Sequence, residues 1–376
     1  MGKENIQKII DLNGDIPSRG DLSMTNLSEA QKKIVEAKED KIVVIAAAAA
    51  GKTTVLVERI KYLLNNGEEP GKIVLITFTN AAAEELSSRL DNPKGMFIGT
   101  IHSYANYLLL SHGKETSDLI ETEKFDELFE RIKKHPKCLK EVNHLLLDES
   151  QDSNESHFEF LLDMIKPHHY MLVGDHKQSI FRFNGAYPDY LINLSNNSDV
   201  TTYDLTENYR NGYKILDFAR NLIAPAGYEY KDNSIPMRGV SGRVIDVEYS
   251  PVAIARTIKQ YGNYGEWFVL TRTNAQLDEI AFYLQKEGVP IDTFKRSELD
   301  NKELGKKMKE NTVKVLTIHT AKGLEMNNVL VIGAKFFNVE ERCISYVAAT
   351  RAKNLLVWTR MPTRAKKNYG MSNWEN

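Results

Sequence analysis

The stretch VVIAAAAAGKTTVLVERI, residues 43–60, decides how the rest of the sequence is interpreted. It begins with a β-branched apolar run, passes through a row of alanines to Gly51-Lys52-Thr53, and continues as an amphipathic helical pattern. A strand, a loop ending in GKT and a helix form the context of a phosphate-binding loop, because N–H groups at the helix start point at phosphate oxygens. The competing interpretation is an alanine-rich helix, since alanine is the best helix former.

The alanines stand where such loops usually carry glycine. A left-handed backbone at Ala47 or Ala49 would cost about 1–2 kcal/mol each, which the loop tolerates if most of these positions keep a negative φ. In the loop interpretation Lys52 reaches the β- and γ-phosphates and Thr53 holds Mg²⁺. The predicted nucleotide-contacting residues of the loop are Ala46, Ala47, Ala48, Ala49, Ala50, Gly51, Lys52, Thr53 and Thr54.

The composition is that of an ordinary globular chain. Its 376 residues suffice for two or three domains, and the 42% hydrophobic content supports a sizeable core. The net charge of −2 excludes a globally basic nucleic-acid-binding protein, so any such contact must come from a local groove. Cys138 and Cys343 are far apart, which argues against a disulfide framework. No apolar run approaches the ~20 residues of a membrane span, and we expect a soluble cytoplasmic protein without a membrane partner.

Short apolar, β-branched runs recur along the chain, each followed by a turn and a helical pattern. Runs that are apolar on both faces indicate buried parallel strands, and their alternation with helices indicates a doubly wound α/β architecture. The ten runs lie at residues 41–46, 72–79, 96–103, 144–149, 170–175, 243–249, 267–273, 313–320, 328–334 and 355–360. They form two groups separated by the polar segment 190–203, where we predict a domain boundary. The polar segment 1–20 is predicted to be peripheral.

The segment LLLDESQD, residues 145–152, is a predicted strand that ends in paired carboxylates. Asp148 at the strand tip suits Mg²⁺, and Glu149 suits activation of an attacking water as a general base. Such a pair is commonly only a solvated turn, but its occurrence after a strand, in a chain with a phosphate loop, favours a catalytic role.

Nine segments, in order and in matching strand context, resemble the motifs of the UvrD/Rep-type superfamily 1 DNA helicases. They are 27–35 (the glutamine motif), 46–53 (motif I), 76–86 (Ia), 99–109, 145–154 (II), 173–186 (III), 205–211 (IV), 317–326 (V) and 340–357 (VI). Agreement in order and spacing over this many segments is highly specific. The resemblance implies two tandem RecA-like domains, residues 21–195 and 196–376, with the ATP site in the cleft between them.

The resemblance also implies a role for individual residues. In the ATP site, Gln31 would read adenine, Gln178 would sense the γ-phosphate, and Tyr209 would stack on the base. Arg210 and Arg351 would be arginine fingers, which contribute about 10³–10⁵ in rate, and Glu325 would contact the ribose. The residues that would contact single-stranded DNA are Phe78, Asn80, His102, Phe181, Phe183 and His319. Packing in the core is the alternative for each phenylalanine, and His319 is equally suited to bracing motif V.

The chain departs from this family mainly in size. Relatives carry two inserted helical domains, but here only residues 105–144 and 292–312 remain at those places. Lys133, Lys134, Lys137 and Lys140 in the first remnant form either a solvated helix face or a patch that contacts duplex DNA. Thr54 stands where relatives often have an arginine that covers adenine, and Phe183 replaces a common tryptophan. So reduced a core suits a phage or mobile element.

Three functions follow from these observations. The first is a monomeric ATP-dependent helicase that uses Mg²⁺ and moves 3′ to 5′ on single-stranded DNA and at single-strand/duplex junctions. The second is a DNA-stimulated ATPase that unwinds poorly without a protein partner, such as a nuclease or a replication or recombination protein. The third is a nucleic-acid-binding module with a disabled ATP site, which the alanines suggest and the intact set of catalytic residues opposes.

Overall fold

The computed structural model describes residues 27–91, 93–295, 306–333 and 336–360. The predicted peripheral segment 1–20, and residues 296–305 of the second predicted remnant, lie outside the described residues. The described chain divides into two compact units, one up to Glu207 and one from Asn208.

The first unit is built on a six-stranded parallel sheet of order β3-β2-β4-β5-β1-β6. Its strands are β1 (Lys41–Ala46), β2 (Ile73–Ile76), β3 (Phe97–Gly99), β4 (His144–Leu147), β5 (His169–Gly174) and β6 (Thr201–Leu205). Its helices are α1 (Glu29–Val35), α2 (Lys52–Asn65), α3 (Asn80–Arg89), α4 (Ile101–Leu110), α5 (Ser117–Glu121), α6 (Glu127–Lys134), α7 (Glu155–Phe158) and α8 (Pro188–Ser195).

Both faces of this sheet are buried. Neighbouring residues of a strand point to opposite faces, so Leu145 and Leu147 join one apolar cluster while Leu146 joins the other. Val43 and Val44 of β1 divide in the same way. This double burial explains why the central strands are continuous apolar runs rather than alternating ones.

The second unit repeats the architecture, with a six-stranded parallel sheet of order β11-β12-β10-β13-β14-β9. Its strands are β8 (Ile235–Pro236), β9 (Arg243–Glu248), β10 (Trp267–Thr271), β11 (Ile291–Phe294), β12 (Val313–Thr317), β13 (Met326–Val331) and β14 (Ala352–Arg360), and the short β7 (Glu207–Asn208) lies at the boundary. Its helices are α9 (Tyr213–Ile223), α10 (Pro251–Tyr261), α11 (Asn274–Lys286) and α12 (Val339–Ala349).

The predicted α/β class with parallel sheets is confirmed, and each of the ten predicted runs overlaps a strand. The sheet of the first unit extends beyond the predicted boundary after residue 195, because β6 pairs with β1 from Ile42↔Thr201 to Ala46↔Leu205. The sequence TTYDL of β6 alternates between partly buried and exposed residues at the sheet edge, so it lacks a continuous apolar run. Within the part of the chain that the structure describes, every helix is too short or too polar to cross a bilayer.

Candidate active site

The catalytic candidates of the first unit lie at the carboxyl ends of three neighbouring strands, β4, β5 and β1. The phosphate loop follows β1, the Asp148-Glu149 pair follows β4, and the segment with Gln178 follows β5. Ligands of open α/β sheets bind at this edge, because loops from adjacent parallel strands converge there.

The alanine stretch forms a loop, and the interpretation as one alanine-rich helix is wrong. The Ala47 N–H donates to the Leu205 carbonyl at 2.8 Å, and α2 begins only at Lys52. Of the five alanines, Ala49 alone has a positive φ, 58°, and the next left-handed residue is Gly51 with φ 81°. Among the alanines, only Ala49 therefore adopts an unfavourable backbone conformation, which costs about 1–2 kcal/mol of folding free energy.

Gln31 braces this loop from α1. Its Nε2 donates to the Ala50 carbonyl at 3.1 Å, and its Oε1 accepts the Ser28 N–H at 3.1 Å in a capping box. A Cβ added at Gly51 would lie 2.7 Å from Gln31 Nε2, so a side chain there would strain the left-handed backbone and displace the Gln31 amide. The predicted adenine contact of Gln31 would thus come from a side chain that already holds the phosphate loop.

Lys52 and the two carboxylates form a compact charge cluster. Lys52 Nζ lies 3.0 Å from Glu149 Oε1. Burial lowers the Lys52 pKa, but the carboxylates of Glu149, Asp148 and Asp175 outweigh it, so the pKa is raised overall. Burial, followed by the charge of Glu149, raises the pKa of Asp148 to about 7, against the opposing effect of Lys52.

The backbone at Glu149 is strained. Its φ of 49° and ψ of 40° are left-handed for a residue that is not glycine. The Glu149 N–H donates to Asp148 Oδ1 at 2.9 Å, and its Oε2 accepts from Gln151 Nε2 at 2.5 Å. Strain of this kind costs of order 1–3 kcal/mol and persists only when surrounding contacts enforce it.

Asp175 organises the segment after β5. Its Oδ2 accepts from Gln178 Nε2 at 2.8 Å, and its Oδ1 lies 2.9 Å from Lys177 Nζ. Burial raises the Asp175 pKa, but the charges of Lys177, His176 and Lys52 outweigh it, so the pKa is lowered overall. This fully buried carboxylate is therefore ionised and fixes the predicted γ-phosphate sensor.

The residues near the loop fit a magnesium ion. Mg²⁺ prefers oxygen ligands, and the Asp148 carboxylate and the hydroxyl of Thr53, the second residue of α2, are of that type. A nearby cation would also offset the repulsion between the Asp148 and Glu149 carboxylates. The neighbouring Thr54 hydroxyl accepts from Arg89 Nη2 at 3.3 Å, so a guanidinium from α3 reaches this position.

Three predicted DNA-contacting aromatics lie together. The rings of Phe78 and Phe181 stack with centroids 5.4 Å apart, and Phe183 lies 6.0 Å from Phe181. Phe181 is only 3% exposed, whereas Phe183 is 66% exposed. Phe181 therefore packs beneath the cluster, and Phe183 presents an exposed ring. Asn80 is exposed at the start of α3, where Thr79 caps the helix.

His102 lies at the start of α4 and contacts the first remnant insertion. Its Nε2 is 3.0 Å from Asp126 Oδ1, and its ring stacks on Phe129. One possible metal-ligand atom each from His102, Asp126 and His157 lies within 4.8 Å of the other two. However, His157 Nδ1 accepts the Asn154 N–H at 3.3 Å, so the neutral ring carries its proton on Nε2, the nitrogen that a metal would need. The geometry fits a histidine–aromatic cluster better than a metal centre.

In the second unit, Arg210 and Glu325 form an ion pair through Arg210 Nε and Glu325 Oε2. Glu325 Oε1 also lies 2.8 Å from Lys353 Nζ. Burial raises the Glu325 pKa, but Arg210 and Lys353 outweigh this and lower it overall. The predicted ribose ligand thus anchors a predicted arginine finger. Tyr209 is 45% exposed, as a base-stacking ring must be, and His319 follows β12 and is partly buried.

Arg351 is held by its own unit. Its Nε donates to the Val347 carbonyl at 3.0 Å and its Nη1 to the Leu324 carbonyl at 3.2 Å. The turn around it is tied to motif IV, because Asn211 Nδ2 donates to the Thr350 carbonyl at 3.1 Å and to that of Ala352 at 2.6 Å.

Arg238 makes a second tie between these motifs. Its Nη1 donates to the carbonyls of Arg210 at 2.7 Å and Lys353 at 3.1 Å. The Gly212 N–H also donates to the Lys353 carbonyl at 3.1 Å, and a Cβ added at Gly212 would lie 2.5 Å from the nitrogen of Gly242, just before β9.

Two family models match the chain. The UvrD/REP helicase N-terminal domain matches residues 27–135 and 124–199, and the UvrD-like helicase C-terminal domain matches residues 291–362. Together the matches cover more than half of the sequence. The chain belongs to the UvrD/Rep family of DNA helicases. This family membership makes it an enzyme of the ATP-dependent DNA helicase class with tandem RecA-like domains.

Individual relatives agree with the family. A probable DNA helicase of Mycoplasma pneumoniae is 25% identical, over 89% of this chain and 83% of the relative. Gabija protein GajB of Bacillus cereus is 28% identical, over 69% of this chain and 62% of the relative. The ATP-dependent DNA helicase Rep of Buchnera aphidicola is 25% identical, over 72% of this chain and 58% of the relative. The chain thus spans less than two thirds of the length of the latter two.

Sequence reasoning missed several residues of this UvrD/Rep-type site. Asp175, directly after β5 in VGDHKQ, and Gln151, in DESQD, both lie within recognised motifs, so their position was a usable signal. Asn211 ends motif IV, so its position was also a signal, whereas Arg238 lies outside every motif and acts through the distant carbonyls of Arg210 and Lys353.

Proposed function

We propose that this protein is an ATP-driven motor that moves 3′ to 5′ along single-stranded DNA and unwinds duplexes. The observation that carries the proposal is the cluster of Lys52, Glu149 and Asp148 beside Asp175 and Gln178, at the edge of the sheet where nucleotides bind. The exposed ring of Phe183 supports a sequence-independent base contact, since stacking contributes about 1–3 kcal/mol per base. The polarity rests on the resemblance of motifs V and VI.

In this mechanism Lys52 binds the β- and γ-phosphates, and Glu149 accepts a proton from the water that attacks the γ-phosphorus. The bond between that phosphorus and the bridging oxygen breaks, which releases ADP and phosphate. Bound Mg²⁺, held by Asp148 and Thr53, would supply charge neutralisation at the phosphates. Arg210 and Arg351 stabilise the negative charge of the transition state, and we propose that hydrolysis needs residues of both units.

The first test is ATP hydrolysis by the wild type, Lys52→Ala and Glu149→Gln, each with and without single-stranded DNA. We expect strong stimulation of the wild type by DNA and a loss of at least about 100-fold in both variants. Equal hydrolysis by the wild type and both variants would refute the site. Wild-type DNA binding without hydrolysis would favour the disabled module.

The second candidate is a DNA-stimulated translocase that unwinds poorly without a partner. The charges of the first remnant insertion favour it, because part of them is paired with acidic neighbours: Lys133 pairs with Glu130 and Glu159, and Arg131 pairs with Asp118. This arrangement fits a solvated helix face better than a duplex-gripping patch.

Strand displacement on duplexes with a 3′ or a 5′ tail separates the two candidates. A 3′ to 5′ helicase unwinds the 3′-tailed duplex, and not the 5′-tailed one, without a partner protein. A partner-dependent translocase hydrolyses ATP on both substrates and displaces neither.

A further inference from the structure

Gln151 is a buried amide that no catalytic step above uses. It is 0% exposed and lies between the two segments that follow β4 and β5. Three hydrogen bonds hold it: Nε2 to Glu149 Oε2 at 2.5 Å, Oε1 from the Asp175 N–H at 2.9 Å, and its main-chain carbonyl from Ser179 Oγ at 3.1 Å. One residue therefore joins the general base to Asp175 and Ser179 of the motif III segment.

The fit around this amide leaves no slack. A Cβ added at Gly174 would lie 2.6 Å from Gln151 Oε1 and 2.5 Å from Ser150 Oγ. Glycine at this position lets the Gln151 side chain lie directly on the backbone of β5. A displacement of β5 or of the segment after it must therefore move the amide or break its bonds.

The far end of the same segment carries the aromatic cluster. Ser179, which is 1% exposed, is followed by Ile180 and then by Phe181, which stacks on Phe78. Phe183, the exposed ring, follows two residues later. The path from a base-stacking ring to the carboxylate of Glu149 thus runs through five consecutive residues and one glutamine.

At one end of this path, the position of the Glu149 carboxylate depends on the hydrogen bond from Gln151. The left-handed backbone of Glu149 is unfavourable, and the bond from Gln151 is one of the contacts that enforce its carboxylate position. The orientation of a general base relative to the attacking water is a steep determinant of rate.

We propose that Gln151 is a positioning residue through which DNA held at Phe183 sets the orientation of Glu149, so that DNA binding accelerates hydrolysis. The proposal rests on the proposed motor function and assigns its regulation to one side chain. This role is distinct from that of the predicted γ-phosphate sensor Gln178. The Gln151 side chain contacts the carboxylate of the general base Glu149 and the main-chain N–H of Asp175, not the nucleotide.

The test compares two variants. Gln151→Met keeps the length of the side chain but removes the amide, and Ser179→Ala removes only the hydroxyl that donates to the Gln151 carbonyl. Exposed Gln285 on α11 supplies the matched control Gln285→Met. Hydrolysis is measured with and without a single-stranded oligonucleotide, together with the ATP KM, the oligonucleotide Kd and the melting temperature.

We expect Gln151→Met to lower the ratio of stimulated to unstimulated rate about tenfold and Ser179→Ala about threefold, since bonds to charged acceptors are the stronger ones. KM and Kd should stay within about twofold of the wild type, which separates positioning from lost binding. If Gln151→Met fails to fold, Ser179→Ala still decides.

Wild-type stimulation in both variants would overturn the proposal and leave the motor intact. A parallel loss of stimulated and unstimulated rates would also overturn it, since it would make Gln151 a brace that does not respond to DNA. A wild type that DNA does not stimulate would overturn the motor function and the proposal together.

Discussion

Ala49 shows how much glycine a phosphate loop needs. Its φ of 58° is the one unfavourable value in the alanine row, and the chain tolerates it. The sequence alone could frame this question but could not answer it, because the handedness of each loop residue depends on how Ala47 and Ala50 are held by their hydrogen bonds.

We predict that Ala49→Gly increases the free energy of unfolding by about 0.5–1 kcal/mol, because relief of the left-handed strain exceeds the added entropy of the unfolded chain. Ala48→Gly, at a neighbouring position without a positive φ, should decrease it by about 0.5–1 kcal/mol. Chemical denaturation measures both. Destabilisation by both substitutions would contradict the strain at Ala49.

Two buried aspartates of the same site should respond to pH in opposite ways. Asp148 has a raised pKa of about 7, so its ionised form destabilises the fold, and that loss develops as pH rises from its unfolded value of 3.8 through about 7. Asp175 has a lowered pKa, so its ionised form stabilises the fold above the unfolded value, and this is lost as pH falls through the folded pKa.

In metal-free protein at pH 8, Asp148→Asn should therefore raise the free energy of unfolding by about 1 kcal/mol or more, and Asp175→Asn should lower it. Near pH 4 the gain from Asp148→Asn should largely vanish. Denaturation at the two pH values, with a chelator present, measures both. Equal effects in sign would show that the charge environment of one aspartate is misassigned.

At the scale of elements, the central strands and their loops were predictable, because burial on both faces leaves continuous apolar runs. The edge strands β6 and β11 were not predictable in this way, since their sequences, TTYDL and IDTF respectively, mix polar and apolar residues. The candidate site divides similarly: residues at strand ends could be read from motifs, whereas the ties made by Arg238 and Asn211 join distant segments through backbone carbonyls.

The joint between motifs IV and VI gives an element-scale prediction. Arg238→Ala removes two hydrogen bonds that hold the carbonyls of Arg210 and Lys353. We expect DNA-stimulated kcat to fall about tenfold with the ATP KM nearly unchanged, because a finger acts in the transition state. Arg360→Ala, at an exposed end of β14, is the control and should match the wild type. An unchanged kcat in Arg238→Ala would show that these two hydrogen bonds do not contribute to catalysis.

At the scale of the whole molecule, each unit has its own parallel sheet, and the predicted catalytic residues are divided between the two units. Lys52 and Glu149 belong to the first unit, and Arg210 and Arg351 to the second. A single chain thus carries every predicted catalytic residue, and the monomeric state stays a prediction.

A mixing experiment tests that expectation. Lys52→Ala and Arg210→Ala should each be inactive, and an equimolar mixture should remain inactive if a monomer supplies both residues to one site. Recovery to about a quarter of the wild-type rate would instead mean that two copies complete each other's sites. Mixtures of each variant with wild type control for inhibition.

The contact between Gly51 and Gln31 bears on how distant members of such families are detected. A sequence signature that scores each glycine of the loop equally would rank this chain low. The earlier positions accept alanine for about 1–2 kcal/mol at most, whereas a side chain at Gly51 would strain a left-handed backbone and also displace the Gln31 amide, which would lie 2.7 Å from its Cβ. A signature that weights the glycine before the lysine, together with a glutamine about twenty residues upstream, would recover loops of this kind.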